Sequence, residues 1–454
     1  MATRLTRTNT TPTLTTKCTF SAWVKRSDSA VSNSGRDAAI IETYTGANDY
    51  GFIRFDGNDQ IQMYARNSSG NLIVCDTDAK YRDINAWYHI VATLDSTEST
   101  SSDRVKLYVN GVRQTFQGSP TYPGSSAEVW FNRNSSNFNI GNSEKYTSNF
   151  QFDGQYSHVH FVDGAAYQAS TFGSTDATTG EWKINTSPTI TEYGANGFFM
   201  FKDDASLNDD SGKGNNFTVA AGSIQKTEDN PSNVFATMNP LDNKWMNGSF
   251  ANGNTTVTTT SAEAGYNTGT LGASSGKFYW EMKLIQPVSG TNYVAVGIAG
   301  RHPYDAEGLG YRADAVAYQG YDGQKRVNGS TSSYGNTWTT NDIIGIAMDL
   351  DNSKLYFSKN GTWQDSGDPT SGATGTGAIS ITAVGSTEAG FYFPAVSDHA
   401  GSSWTNAIFS FNFGNGFFGT TAISSEGTNA SGIGKFEYDV PAGYTALSTK
   451  GLNE

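Results

Sequence analysis

Between Asn341 and Trp363 the chain reads NDIIGIAMDLDNSKLYFSKNGTW, and this stretch limits the fold more than any other. Ile344, Ile346, Met348 and Leu350 alternate with Gly345, Ala347 and Asp349. That period of two sends successive side chains to opposite faces of a strand. Asp351-Asn352-Ser353 supplies a turn, and Leu355 and Phe357 then alternate with Lys354, Tyr356 and Ser358. Asn360-Gly361 closes a second hairpin, because both residues tolerate the positive φ of a tight turn. The segment is a three-strand meander.

The same plan occurs far upstream. Trp87 to Asp95 reads WYHIVATLD, and Val105 to Val112 reads VKLYVNGV. Each strand ends in Leu-Asp or Met-Asp-Leu, and each partner carries Lys-Leu-Tyr ahead of Asn-Gly: Lys106-Leu107-Tyr108 with Asn110-Gly111, and Lys354-Leu355-Tyr356 with Asn360-Gly361. Two β-sandwiches on one chain are expected.

Composition agrees with an all-β chain. Of 454 residues, 13% are aromatic, only 16% are charged and 50 are glycine, which describes strands joined by uncharged polar loops rather than long helices. Lys plus Arg total 30 against 43 Asp plus Glu, a net charge of −13. This argues against nucleic acid and anionic membranes as partners, since both need a basic surface. No apolar run is long enough to span a bilayer. The opening MATRLTRTNTTPTLT lacks the apolar core of a signal peptide, so synthesis in a cytoplasm is expected. Cys18 and Cys75 both sit in strand-like segments and read as buried thiols.

Strand-like segments recur from Thr16 to Gly164: KCTFSAWVKRS, DYGFIRFDG, IQMYAR, NLIVCDT, WYHIVATLD, VKLYVNGVRQ, FNIGNSE and FDGQYSHVHFVDG. Cys18, Phe20, Ala22 and Val24 fall on one face of the first. This order resembles laminin-G-like, concanavalin A-type jelly rolls. Residues 165–243 are less regular and read as a connector, in which Phe198 to Phe201 supplies a last strand to the first sandwich. From residue 244 onward, KFYWEMKL, NYVAVGIAG, AVAYQGYDG, the opening meander, FYFPAVS and IFSFNFG follow the order of the SPRY domain, which they resemble. The fold class expected is therefore all-β. A short N-terminal arm (1–15) precedes a laminin-G-like sandwich (16–164), then comes the connector (165–243) and a SPRY-like sandwich with its tail (244–454).

Catalytic motifs are sparse. Glucanases on this fold resemble one another in a Glu-x-Asp-x-x-Glu strand that sets two carboxylates on one face. Glu437-Tyr438-Asp439 is the nearest approach, but Ala442 holds the third position. His158 and His160 stand at i, i+2 without an evident third ligand, and no zinc spacing, nucleophile elbow or phosphate loop occurs. The chain is read as not an enzyme. Laminin-G-like domains often carry calcium, which makes Asp153 and Asp163 candidate ligands, with Asp209-Asp210 a weaker pair. Asp-Gly is also a good turn dipeptide, and that reading is preferred.

In the SPRY family, loops at one end of the sandwich form the ligand surface. The loop aromatics Tyr304, Tyr311, Tyr321, Tyr334, Trp338, Trp363 and Trp404 are the binding residues this resemblance implies. The connector wording DDSGKGNNFT and DNPSNVFATMNPLDN, and the tail GKFEYDVPAGYTALSTKGLNE, resemble segments of structural proteins of tailed bacteriophages, marine phages among them. The resemblance implies a virion protein, either a tail or head fiber, an appendage or a capsid-surface protein. Such a protein displays its sandwiches to host-surface glycans or to other virion proteins, as a homo-oligomer for which a trimer is favoured. A free lectin or a polysaccharide-degrading enzyme is the alternative.

Overall fold

A computed structural model describes residues 3–27, 37–202, 204–243, 245–260, 265–287, 294–303, 307–398 and 406–453. The chain divides between Lys226 and Thr227 into two compact units. Among the described residues the only helical segments are short 3-10 turns.

The N-terminal unit holds two large antiparallel sheets and a two-stranded ribbon, Gly173–Thr175 with Trp182–Ile184. The seven-stranded sheet runs Thr218–Ala221, Arg4–Thr8, Asn137–Ile140, Ala38–Gly46, Asp49–Phe55, Ile61–Asn67, Gly70–Asp76. The six-stranded sheet runs Phe198–Met200, Gly154–Asp163, Lys17–Arg26, Trp87–Asp95, Val105–Val109, Val112–Arg113. Phe20, Ala22, Val24, Ile53, Phe55, Met63, Ile90 and Phe161 meet between them in the core. Residues 1–15 are not an arm, because Arg4–Thr8 lies inside the first sheet, paired on both sides. Residues up to 226 belong to this unit, since Thr218–Ala221 and Phe198–Met200 are edge strands of its two sheets.

The C-terminal unit repeats the plan. One sheet runs Ser249–Ala251, Thr256–Thr258, Ile408–Asn412, Lys277–Gln286, Ile343–Asp349, Lys354–Lys359, Thr362–Trp363. The other runs Gly265–Thr268, Phe393–Asp398, Val294–Ala299, Ala315–Gln319, Gln324–Val327, Ser330–Ser333. Trp280, Met282, Leu284, Val296, Ile298, Ile344, Ile346 and Phe409 fill the space between them.

The meander at Ile343–Trp363 and its upstream counterpart are equivalent at the turn. Asn110 and Asn360 both adopt positive φ, 48° and 49°. Asn110 Oδ1 accepts from His89 N at 2.8 Å, and Asn110 N donates to His89 O at 2.9 Å. Asn360 makes the same two bonds with Ile343, each at 2.8 Å. At the far end of each strand a cross-strand lysine pairs with the aspartate, Lys17 with Asp95 at 2.8 Å and Lys277 with Asp349 at 3.0 Å. Asp349 also accepts from Asn352 N and Nδ2, so it braces the turn. The Lys-Leu-Tyr letters do not superpose: Val105, not Leu107, stands where Leu355 stands, opposite Leu94 and Met348 respectively.

The burial of Thr19, Ser21 and Trp23 departs from simple alternation. These outward-facing residues of the Lys17–Arg26 strand are covered because the segment after Asp163 folds back over the sheet. Tyr167, Phe172 and Trp182 pack with Val91 and Tyr108 on that outer face. Cys18 and Cys75 are buried and free, as expected.

Candidate recognition surfaces

In both units the sheet that carries the Asn-Gly turn has its outer face closed by the unit's own chain. Trp182 lies against Gly111, where a Cβ would come within 2.4 Å of the indole, and Tyr438 lies against Gly361 at 2.7 Å. His89 sits under the first cover, stacked on Trp23 at 4.9 Å and on Trp182 at 6.0 Å. Trp182 Nε1–H donates to His89 Nδ1 at 2.9 Å, so the proton of the neutral ring is on Nε2 and faces Ser21 Oγ at 2.9 Å. Donating to Ser21, His89 cannot act as its base, and this Ser-His contact is no nucleophile pair.

His158 and His160 do not share a strand face in simple alternation. His158 has φ 48° and forms a bulge, with the register shifting between Ser157 and His160. His160 stacks on Phe199 at 4.0 Å, and its Nδ1 meets the Tyr193 hydroxyl at 2.9 Å.

The outer face of the seven-stranded sheet is different. Tyr50, Phe52 and Tyr64 point away from the core, the reverse of Ile53, Phe55 and Met63 beside them. With Tyr44, Tyr146 and Phe150 they form a separate aromatic cluster. Tyr146 and Phe150 come from the loop after Gly141, which is pinned to the face by Glu42. Glu42 Oε1 accepts from Ser143 Oγ at 2.6 Å and Lys145 N at 3.2 Å, and Oε2 accepts from Asn139 Nδ2 at 2.8 Å and Glu144 N at 2.5 Å. Tyr146 then reaches Tyr50 hydroxyl-to-hydroxyl at 3.0 Å and lies tilted against Phe150 at 4.5 Å. Arg54 lies 4.4 Å over Phe150, Lys145 lies 5.6 Å over Tyr50, and Arg66 lies 6.0 Å from the same ring. Tyr64, Arg66, Lys145 and Tyr146 remain partly exposed. The loop aromatics of the second sandwich drew attention in the sequence, and this face did not. Its signal was present in DYGFIRF and IQMYAR, where aromatics fill the positions expected to be polar.

Asn139 Nδ2 also donates to Glu144 Oε2 at 3.2 Å, so one amide bridges two carboxylates on this face. A retaining glycosidase needs two carboxyl groups this near each other. Glu42 cannot serve in that role, because it is fully buried and both its oxygens are occupied by donors.

Of the loop aromatics expected to bind, Tyr304 and Trp404 lie outside the described residues. Tyr334 and Trp338 are core residues, 6% and 1% exposed, packed with Tyr318 and Phe357. Their burial is possible because the Tyr334 hydroxyl accepts Phe357 N at 3.0 Å, and because Gly320 has no Cβ to meet Trp338 at 3.1 Å. Trp363 is partly buried against the same core, edge-on to Tyr279 at 6.4 Å. Tyr311, 45% exposed, and Tyr321, partly exposed, stay at the surface, and the Arg326 guanidinium lies 4.3 Å over the Tyr311 ring.

Asp153 and Asp163 do not form a calcium site. They lie at opposite ends of a ten-residue strand, about 30 Å apart at the usual rise. Asp163 is buried and receives only N–H donors, from Thr13 N, Leu14 N, Asn132 Nδ2 and Asn196 N, where calcium would require oxygens. Asp209 takes Phe199 N, Ser211 N and Asn215 N and also the Ser211 hydroxyl at 2.8 Å. Among the described residues no three of His, Cys, Asp and Glu gather into a metal-binding group.

The Glu437 carboxylate accepts from Ser424 N and Oγ. Its backbone has a different task. Glu437 N and Tyr438 N donate to Glu281 at 2.9 and 2.8 Å, Asn412 Nδ2 adds a third bond at 3.2 Å, and the Tyr279 hydroxyl adds a fourth at 3.1 Å. Glu281 is thus the counterpart of Glu42. Each is a buried glutamate taking two successive backbone N–H groups and the amide of the asparagine opposite it in the sheet.

The buried groups set opposite pH responses. Burial, helped by His158, holds His89 down at about 3, and burial holds His160 well below its ordinary value. Burial pushes Glu281 up to about 7 and Asp398 up to about 6. A histidine with a lowered pKa leaves the unfolded chain binding more protons below pH 6.5, so acid destabilises. A carboxyl with a raised pKa leaves the folded chain binding more, so acid stabilises. Between pH 7 and pH 5 the N-terminal unit is expected to lose stability, at up to about 1.4 kcal/mol per pH unit for each histidine once below pH 6.5. Glu42, pushed up by burial, offsets part of this loss. The C-terminal unit is expected to gain over the same range. Thermal unfolding of the full chain at several pH values tests this, and transitions that shift together would count against it.

Comparison with known proteins agrees with this architecture. Residues 3–170 match the concanavalin A-like lectin/glucanases superfamily, and residues 277–415 match the SPRY domain. The chain is thus a two-module protein of concanavalin A-like and SPRY type, modules of a kind that bind proteins and glycans. Ran-binding protein 9 of Danio rerio is 30% identical over 90 residues, 20% of this chain and 15% of that protein. The Ran-binding proteins 9/10 homolog of Drosophila melanogaster is 30% identical over 91 residues, 9% of its own length. The chain therefore spans less than a sixth of these relatives. Among solved structures, the SPRY domain of human HERC1 is similar at 20% identity with a TM-score of 0.30, covering 38% of this chain and 96% of that domain. The TRIM65 PSpry domain is similar at 13% identity with a TM-score of 0.28, covering 39% and 91%. No described helix is long and apolar enough to cross a membrane.

Proposed function

We propose that the chain is a non-catalytic display protein of a tailed bacteriophage particle. It holds two recognition sandwiches toward host-surface glycans or neighbouring virion proteins, and works as a homo-oligomer in which weak sites add through effective concentration. The observation that carries the reading is a clasp within the C-terminal unit. The second connector segment whose wording resembles phage structural proteins, DNPSNVFATMNPLDN at 229–243, pairs with the tail that begins at Gly434. Ala236 N donates to Leu447 O at 3.0 Å, Thr449 N donates to Val234 O at 2.9 Å, and Val234 N donates to Thr449 Oγ1 at 3.0 Å. Two of the three stretches that carry the resemblance therefore meet in one structural device, while the third, DDSGKGNNFT at 209–218, belongs to the N-terminal unit. The filled hydrogen-bond shells of Glu42 and Glu281 support binding without catalysis.

Mass spectrometry of gradient-purified particles is expected to find the chain in many copies. A chain abundant in the lysate and absent from particles would sink the reading. Release of reducing ends from host polysaccharide by the intact chain would replace it with the enzyme alternative.

A further inference from the structure

We propose that the outer face of the seven-stranded sheet binds an acidic polysaccharide, with a sugar carboxylate seated between Lys145 and Arg66. This rests on the glycan-recognition reading above and names the class of glycan. Lys145 Nζ lies 5.6 Å from the Tyr50 ring centre and 5.4 Å from that of Tyr146, and Arg66 lies 6.0 Å from the Tyr50 ring. Two cations thus flank one tyrosine, and among the described residues neither has an ion-pair partner. Their neighbours differ. Arg54 on the same face pairs with Asp37 at 2.6 Å, and Arg133 reaches Glu128 at 3.6 Å and Asp49 at 3.9 Å. An anion beside this ring would find both cations without an acid and be held by charge-assisted hydrogen bonds.

The rest of the face fits a sugar better than a peptide. Tyr64 and Tyr146 are partly exposed, and ring faces stack well on the C–H faces of pyranoses. Beside them run hydroxyl and amide groups: Thr8 Oγ1 donates to Asn137 Oδ1 at 3.0 Å, and Asn137 Nδ2 donates to Glu144 at 3.1 Å. A peptide would seek a free strand edge. The edge beyond Gly70–Asp76 is already bridged, Val74 to Thr121.

The test is calorimetric titration of the full chain with three probes. These are oligogalacturonate, the same oligomer fully methyl-esterified, and polyglutamate of similar length. The acid form is expected to bind, and the ester to bind at least tenfold more weakly. Lys145→Gln and Arg66→Gln are each expected to weaken the acid form by about tenfold, the size of one lost charge-assisted contact, and to leave the ester unchanged. Unfolding curves matching the parent would show that the variants fold. Equal binding of acid and ester, unmoved by either variant, would overturn the acidic assignment and leave the glycan reading intact. Polyglutamate binding as tightly as the uronate would overturn it in favour of an acidic polypeptide. If neither sugar form binds, the inference fails, and a panel of neutral glycans then decides whether the broader reading fails with it.

Discussion

Glu281→Gln is expected to lower the stability of the C-terminal unit by roughly 1–3 kcal/mol, from one buried backbone N–H group losing its acceptor. Each carboxylate oxygen of Glu281 takes one backbone N–H, Oε1 from Tyr438 and Oε2 from Glu437. Whichever way a glutamine amide is placed, its NH2 faces a backbone N–H that cannot turn away. One of the remaining donors, the Tyr279 hydroxyl, can reverse its role, but the peptide groups cannot, and the Asn412 amide is held by Gly414 N, Gly416 N and Lys435 O. Urea unfolding measures the loss, and amide exchange at Glu437 and Tyr438 localises it. Unchanged stability with those amides still protected would show that the carboxylate is not what holds the tail segment on the sheet.

Asp163→Asn is expected to cost the N-terminal unit a similar amount, roughly 1–3 kcal/mol. Asp163 Oδ2 accepts from Thr13 N at 2.8 Å and Asn196 N at 3.0 Å, and Oδ1 accepts from Leu14 N at 3.3 Å and from Asn132 Nδ2. The carboxylate joins three stretches of chain that are remote in sequence. Asn196 extends the junction, since its Oδ1 accepts from Thr10 N and its Nδ2 donates to Thr10 O. An asparagine at 163 again sets NH2 against a fixed N–H. Added calcium is expected to restore nothing, because the lost contacts are to N–H donors. Recovery of stability with calcium would revive the metal reading of Asp163.

How much was legible is clearest residue by residue. The alternation in IIGIAMDL placed Ile344, Ile346 and Met348 in the core, and all three are there. Asn110-Gly111 and Asn360-Gly361 were read as turns, and both are, with positive φ at each residue. Tyr334 and Trp338 were misread as surface aromatics, because TSSYGNTWTTND looks like a loop in every local respect. A buried tyrosine differs from an exposed one only in whether a partner meets its hydroxyl, and here that partner is Phe357 N. The wording at Asp163 admits calcium beside the preferred turn reading, because Asp-Gly is local, whereas the N–H groups that fill its oxygens come from residues 13, 14 and 196.

Strands, turns and the inward face of each strand were determined by sequence alone, because a period of two and the φ preference of Asn-Gly act over a few neighbouring residues. The tertiary structure decided which outer faces remain open. In each unit the segment following the last central strand folds back and closes one sheet, while the aromatic face carrying Tyr50, Tyr64, Lys145 and Arg66 stays partly accessible. That choice depends on contacts such as Trp182 with His89 and Glu144 with Glu42, between residues about a hundred positions apart. No local pattern encodes them, because the energy that selects them exists only once the sheets have formed.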